Sequence, residues 1–182
     1  MRYVRAFSHQ LAFTFLIFRL VAFFSGAPIA LADTQIVPSN NQEVTAIATV
    51  AYQPVEFLTL TNQARQEKGK PALRLNDQLD AAAYTKAMDM AQKGYWDHFR
   101  PGDGKAPWDF IKEAGYSYTV AGENLARGFK TPTGITTAWL ASPAHRANLL
   151  SSKYGEVGFA CIQIKDQDGN TLLLTVQMFG SR

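Results

Sequence analysis

Apolar positions recur every three or four residues through the middle of the chain and then every residue or two near its end. Gln53-Pro54 opens the first helical stretch, since proline suits the first turn; Phe57, Leu58 and Ala64 follow, and Lys68-Gly69 closes it. Asn76 is placed to cap a second helix, in which Leu79, Ala82, Ala83, Ala87, Met90 and Ala91 form one stripe up to Gly94. Tyr95 to Ala106 is rich in Pro, Gly and Asp and reads as a loop. Pro107-Trp108 opens a short helix that ends near Gly115, and another runs from about Pro132 through Trp139 and Leu140. Ser142-Pro143 has the order of an N-cap serine followed by a first-turn proline. Tyr116 to Lys130 has no helical period, and GENLARGF (122–129) within it shows no strand period either.

The end of the chain is different. Val157 to Ile164 and Thr171 to Phe179 are apolar and rich in β-branched residues, and the polar run KDQDGN joins them as an antiparallel hairpin. Helices first and strands last predict an α+β fold with helices layered on a central sheet.

The first 32 residues read as an export signal. Arg2, Arg5 and Arg19 form a positive front, Leu20 to Phe24 is apolar, and Ala30-Leu31-Ala32 offers a small-x-small cleavage pattern. The alternative is an uncleaved anchor over Leu11 to Ala32. It would carry Arg19 inside the bilayer, at roughly 2.5 to 3.5 kcal/mol. Membrane contact is expected only through this segment, and the destination is the periplasm or the exterior. Residues 33–52 read as a linker or extended lead-in, and 53–182 as the domain.

Charge narrows the partners. The formal net charge of +3 is matched by the three signal arginines, so residues 33–182 are formally neutral. The basic balance is therefore no nucleic-acid footprint. Cys161, the sole cysteine, allows no intramolecular disulfide and reads as a buried thiol.

Beyond the signal there are two histidines, His98 in YWDHFRPGDGKAPW and His145 in WLASPAHRANLL. If Ser142 caps its helix, His145 is the third helical residue. The positive end of the helix dipole then disfavours imidazolium and keeps the ring neutral, ready to bind a metal or accept a proton. The plainer roles stay open: a surface histidine, Glu123 bonding backbone amides, Asn124 in a turn, Arg146 in an ion pair. No G-x-S-x-G elbow, H-E-x-x-H helix or Gly-rich phosphate loop occurs.

Four segments in order, NQARQEKGKPALRLNDQLDAAAYTKAMDMAQKGYWDH, GENLARG, AWLASPAHRANLL and YGEVGFA, resemble the bacterial branch of the CAP superfamily (cysteine-rich secretory protein, antigen 5, pathogenesis-related 1; the SCP domain). The resemblance covers about Pro54 to Phe179. It implies a three-layer α-β-α sandwich with a central antiparallel sheet. It also implies a cleft of two histidines and acidic residues that in some members holds zinc or another divalent cation. Carried over, the histidines fall on His98 and His145 and the GEN glutamate on Glu123, with Asn124 and Arg146 in support. The family's other glutamate falls on Ser142, a departure; Glu156, just before a strand, is the residue left to supply that carboxylate. The absence of disulfides fits the bacterial members.

Two functions follow from the resemblance. The first is an exported binding module, for a divalent cation, a lipid or sterol, or a cell-envelope component. Tyr95, Trp96, Phe99 and Trp108 would line an apolar groove beside the cleft or else pack in the core. The alternative is a metal-dependent, peptidase-like hydrolase using His98, His145 and Glu123.

Overall fold

The computed structural model describes residues 29–31, 45–50, 52–166 and 168–182. Most of the segment expected to be an export signal, and residues 33–44 and 51 of the expected lead-in, lie outside them. In chain order the elements are β1 (Ile29–Leu31), β2 (Thr45–Val50), α1 (Pro54–Glu67), β3 (Arg74–Leu75) and α2 (Asp77–Lys93). They continue with α3 (Pro107–Glu113), β4 (Val120–Phe129), α4 (Pro132–Ala141), α5 (Pro143–Leu149), β5 (Glu156–Lys165) and β6 (Thr171–Ser181).

The sheet order is β1-β4-β6-β5-β2, with β3 added beside β5. The central run β4-β6-β5-β2 is antiparallel, while the short β1 and β3 pair in parallel with β4 and β5. β2 comes from the segment expected to be a lead-in; it places Thr49 opposite Gln163 and Val50 opposite Ile162.

Alternation along the strands splits the core in two. Ala160, Ile162 and Ile164 join Leu174, Val176 and Met178 under α2 and α3, against Leu79, Ala83, Met90, Phe110 and Ile111. On the other side Phe159 and Cys161 meet Phe57 of α1, Trp139 of α4 and Leu149 of α5. The result is the expected three-layer sandwich. Cys161 is buried and its thiol accepts a bond from Thr175 Oγ1 at 3.2 Å; burial pushes its pKa up to about 11.

β4 is where the chain escapes its pattern. Val120 to Ala126 is buried without interruption, because helices cover both faces of the strand. A strand with two dry faces has no alternation to read.

Two contacts set how the layers meet. α2 crosses β5 at Gly158, where an added Cβ would lie 2.1 Å from the Leu79 carbonyl carbon and 2.2 Å from the Asp80 amide. Asp80 Oδ1 accepts the Phe159 amide at 2.7 Å beside it. On the other layer Arg65 is fully buried; it donates to the carbonyls of Pro71, Leu149 and Ser151, clamping the C-terminal end of α5. Gly158→Ala is therefore expected to force α2 off the sheet. Thermal and urea unfolding should register a loss of about 1–3 kcal/mol, the usual cost of overpacking.

Candidate functional site

Glu123 sits in β4, not in a loop. Ala121 and Leu125 belong to the core under α2, and Val120 and Ala126 to the opposite core. Period two therefore sends Glu123 toward α2 and Asn124 toward α5.

On the α2 side, Glu123 Oε1 lies 2.5 Å from His98 Nδ1, both side chains being buried. His98 is carried by the loop after Gly94, and that loop is tied to α2 at two points. Lys86 Nζ donates to the carbonyls of Asp97 (2.9 Å) and His98 (2.7 Å) and to Tyr95 Oη (3.2 Å). Asp89 accepts Tyr95 Oη at 2.6 Å and Arg100 Nη1 at 2.9 Å. Burial lowers the Lys86 pKa, and the negative charges of Glu123 and Asp89 pull it back. Three acceptors for three N–H bonds are what an ammonium requires.

On the α5 side, Asn124 Nδ2 donates to Gln177 Oε1 (2.9 Å) and to the His145 carbonyl (3.3 Å). Asn148 Nδ2 donates to Asn124 Oδ1 and to the Glu123 carbonyl, each at 3.0 Å. These amides seat α5 on β4 and bring His145 to the same stretch of strand from the opposite face. Asn124 thus fixes a helix rather than a loop. Ser142 occupies the N-cap position, but its hydroxyl makes no capping bond; it meets His145 Nδ1 at 2.8 Å instead. His145 is fully buried. Its pKa is lowered from 6.5 to about 4, first by desolvation and then by the charge on His98. The neutral ring expected from a helix dipole is obtained chiefly from burial.

The site therefore wraps around one edge of β4, with His98, Glu123 and Lys86 on one side and His145 and Ser142 on the other. Glu123 Oε2 and His145 Nε2, both buried, have no hydrogen-bond partner. Among the described residues no group of three or more His, Cys, Asp or Glu side chains is placed to hold a metal ion. The donors present do not fit a closed zinc centre, which needs four convergent ligands.

Glu156 does not fill the place of the missing carboxylate. It starts β5 opposite Gly180, whereas Glu123 lies opposite Met178 on the other flank of β6. Its oxygens accept Tyr116 Oη at 2.6 Å and Asn76 Nδ2 at 3.1 Å. Arg146 is exposed and donates to the Leu140 carbonyl at 3.2 Å. Of the four aromatics, Trp108 is buried in the core, Tyr95 and Trp96 pack against it, and Phe99 is exposed. Sequence reasoning passed over Lys86, Asn148 and Gln177. Lys86 had a signal, a charge in the middle of the apolar stripe of α2, where lysine is rarely buried unpaired.

The His145 pKa carries a sign. Its folded value lies below its unfolded one, so the unfolded chain takes up the proton first and stability falls as pH drops from 6.5 toward about 4. Above 6.5 this contribution is constant. His145→Ala should flatten that part of the profile when melting temperature is followed against pH.

Comparison with known proteins agrees with the fold. The model of the cysteine-rich secretory protein family (CAP) matches residues 58–179. "Uncharacterized protein YkwD" of Bacillus subtilis (strain 168) is 36% identical over 124 residues, 68% of this chain and 48% of that protein. "Uncharacterized membrane protein YlbC" of the same strain is 29% identical over 103 residues, 57% of this chain and 30% of that protein. The chain thus spans about half or less of these curated relatives. Among solved structures, an outer surface protein from Borrelia burgdorferi superposes with a TM-score of 0.59 at 23% identity, covering 70% of this chain and 90% of that one. An extracellular SCP-domain protein from Bacillus anthracis str. Ames gives a TM-score of 0.59 at 25% identity, covering 71% and 40%. With two-thirds of its length matched by the family model and the same layered fold, the chain belongs to the cysteine-rich secretory protein family.

Proposed function

We propose that the domain is an exported binding module whose cleft at the edge of β4 takes a polar ligand through Glu123 and His145. One observation carries the reading: Glu123 Oε2 and His145 Nε2 are buried without partners in a site whose other polar side chains are bonded to one another. A buried polar atom left unpaired costs about 1–3 kcal/mol, more when charged, and a guest that pairs with it recovers that cost. A divalent cation is the simplest such guest. Two ready protein donors would leave its other positions to water or to groups of a larger ligand, such as a cell-envelope component. The signal-like first 32 residues support export, as do the extracellular and outer-surface descriptions of two structural neighbours.

Binding is favoured over hydrolysis because the two unpartnered basic atoms, Glu123 Oε2 and His145 Nε2, are the ones that hold the ligand. Glu156, the other candidate carboxylate, is bound elsewhere by Tyr116 and Asn76. Equilibrium dialysis with zinc tests the reading. The wild-type chain should take up a single equivalent, with affinity falling about tenfold or more (~1.4 kcal/mol) in Glu123→Gln and in His145→Ala. Peptide and ester libraries should remain uncut. Uptake indifferent to both substitutions, or zinc-dependent cleavage, would overturn it.

A further inference from the structure

β1 is an unusual occupant of the sheet. It comes from the segment with the features of an export signal, yet Ile29, Ala30 and Leu31 pair in parallel with Ala121, Gly122 and Glu123. It also lies against α5. The backbone of β1 therefore runs along the edge of β4 that carries Glu123, on the side approached by α5. If the chain is cut after Ala32, as the alanine pattern suggests, this edge loses its partner.

The carbonyls along that edge already have side-chain partners. Trp139 Nε1 donates to the Leu125 carbonyl at 2.9 Å, Asn148 Nδ2 to the Glu123 carbonyl at 3.0 Å, and Tyr154 Oη to the Ala121 carbonyl at 3.3 Å. Side chains that take up backbone carbonyls in this way protect a strand from indiscriminate pairing. They do not use the amide N–H groups. An unpartnered amide deep in a cleft calls for an acceptor, and an added strand supplies carbonyls at the right spacing.

From this we infer that the edge of β4 over Ala121–Glu123 is a strand-addition site for an extended peptide, held in the cleft between His98 and His145, and that Ile29–Leu31 fills it in the uncut chain. The inference rests on the binding-module reading and names its partner class. Backbone pairing supplies the affinity. The guest residue that pairs with Glu123 shares its face of the sheet, beside the carboxylate oxygen that has no partner. Three residues of pairing make a short contact, so the complex is expected to be weak and reversible unless neighbouring side chains add to it.

Hydrogen exchange on the full chain tests the site. Ala30→Pro removes the central N–H of β1 and should break its ladder. Exchange at the Glu123 amide should then quicken about tenfold or more, with β5 and β6 unchanged. Excess synthetic peptide with the sequence of residues 27–33, APIALAD, should slow that amide again in the variant, and the same peptide N-methylated at its central alanine should not. The peptide should act equally on a chain that also carries Glu123→Gln, because main-chain pairing does not need the carboxylate. Loss of zinc uptake there with retained peptide protection separates the two readings. Unchanged exchange in Ala30→Pro, or no effect of the peptide, would overturn the inference. Loss of protection throughout β5 and β6 would overturn it too, since β1 would then be part of the core rather than a removable occupant.

Discussion

The site depends on the pairing of two buried amides, Asn124 of β4 and Asn148 of α5. Asn148 donates to Asn124, and between them they also take the His145 carbonyl, the Glu123 carbonyl and Gln177, which reaches Thr61 of α1. A seven-residue helix has little stability of its own. α5 holds its position because these bonds and the Arg65 clamp fix both its approach to the strand and its far end. His145 has no other means of reaching the edge where Glu123 lies. A network so thoroughly satisfied specifies one arrangement, since a helix shifted by one residue would leave several buried polar groups unmatched.

The opposite wall works by charge rather than by amides. Lys86 rises from the apolar stripe of α2 and spends its hydrogens on the loop that carries His98, at the cost of burying a cation. Glu123 and Asp89 offset that cost. The carboxylate thus serves two partners, a fixed ammonium and an imidazole in direct contact. A truncated Lys86 would leave two loop carbonyls unpaired and Glu123 with one neighbour fewer, so the lysine is structural and electrostatic together.

Much of this was legible in the sequence. The Asn76 and Gly94 ends of α2, the terminal hairpin and the convergence of His98 with Glu123 were all expected there, the last from the family resemblance. What was missed was missed for physical reasons. β4 is buried on both faces and carries no period. The role of Asn124 depends on the side chains of Asn148 and Gln177, which are distant in sequence and close only after folding. Ser142 has the spacing of a cap, but a histidine three residues on competes for its hydroxyl and wins. Glu156 is near the site in sequence numbering yet lies across β6 from it, a separation that strand order alone decides.

The contact at Gly158 has a mechanical consequence. There α2 rests on β5 backbone to backbone, with no side chain between them to compress or rotate, so the His98 jaw is seated on a hard stop. The jaw that carries His145 is suspended on side-chain amides and a guanidinium, which can lengthen and swivel. Any change in the spacing of the two histidines would therefore come from α5, while the side seated on Gly158 keeps a constant gauge.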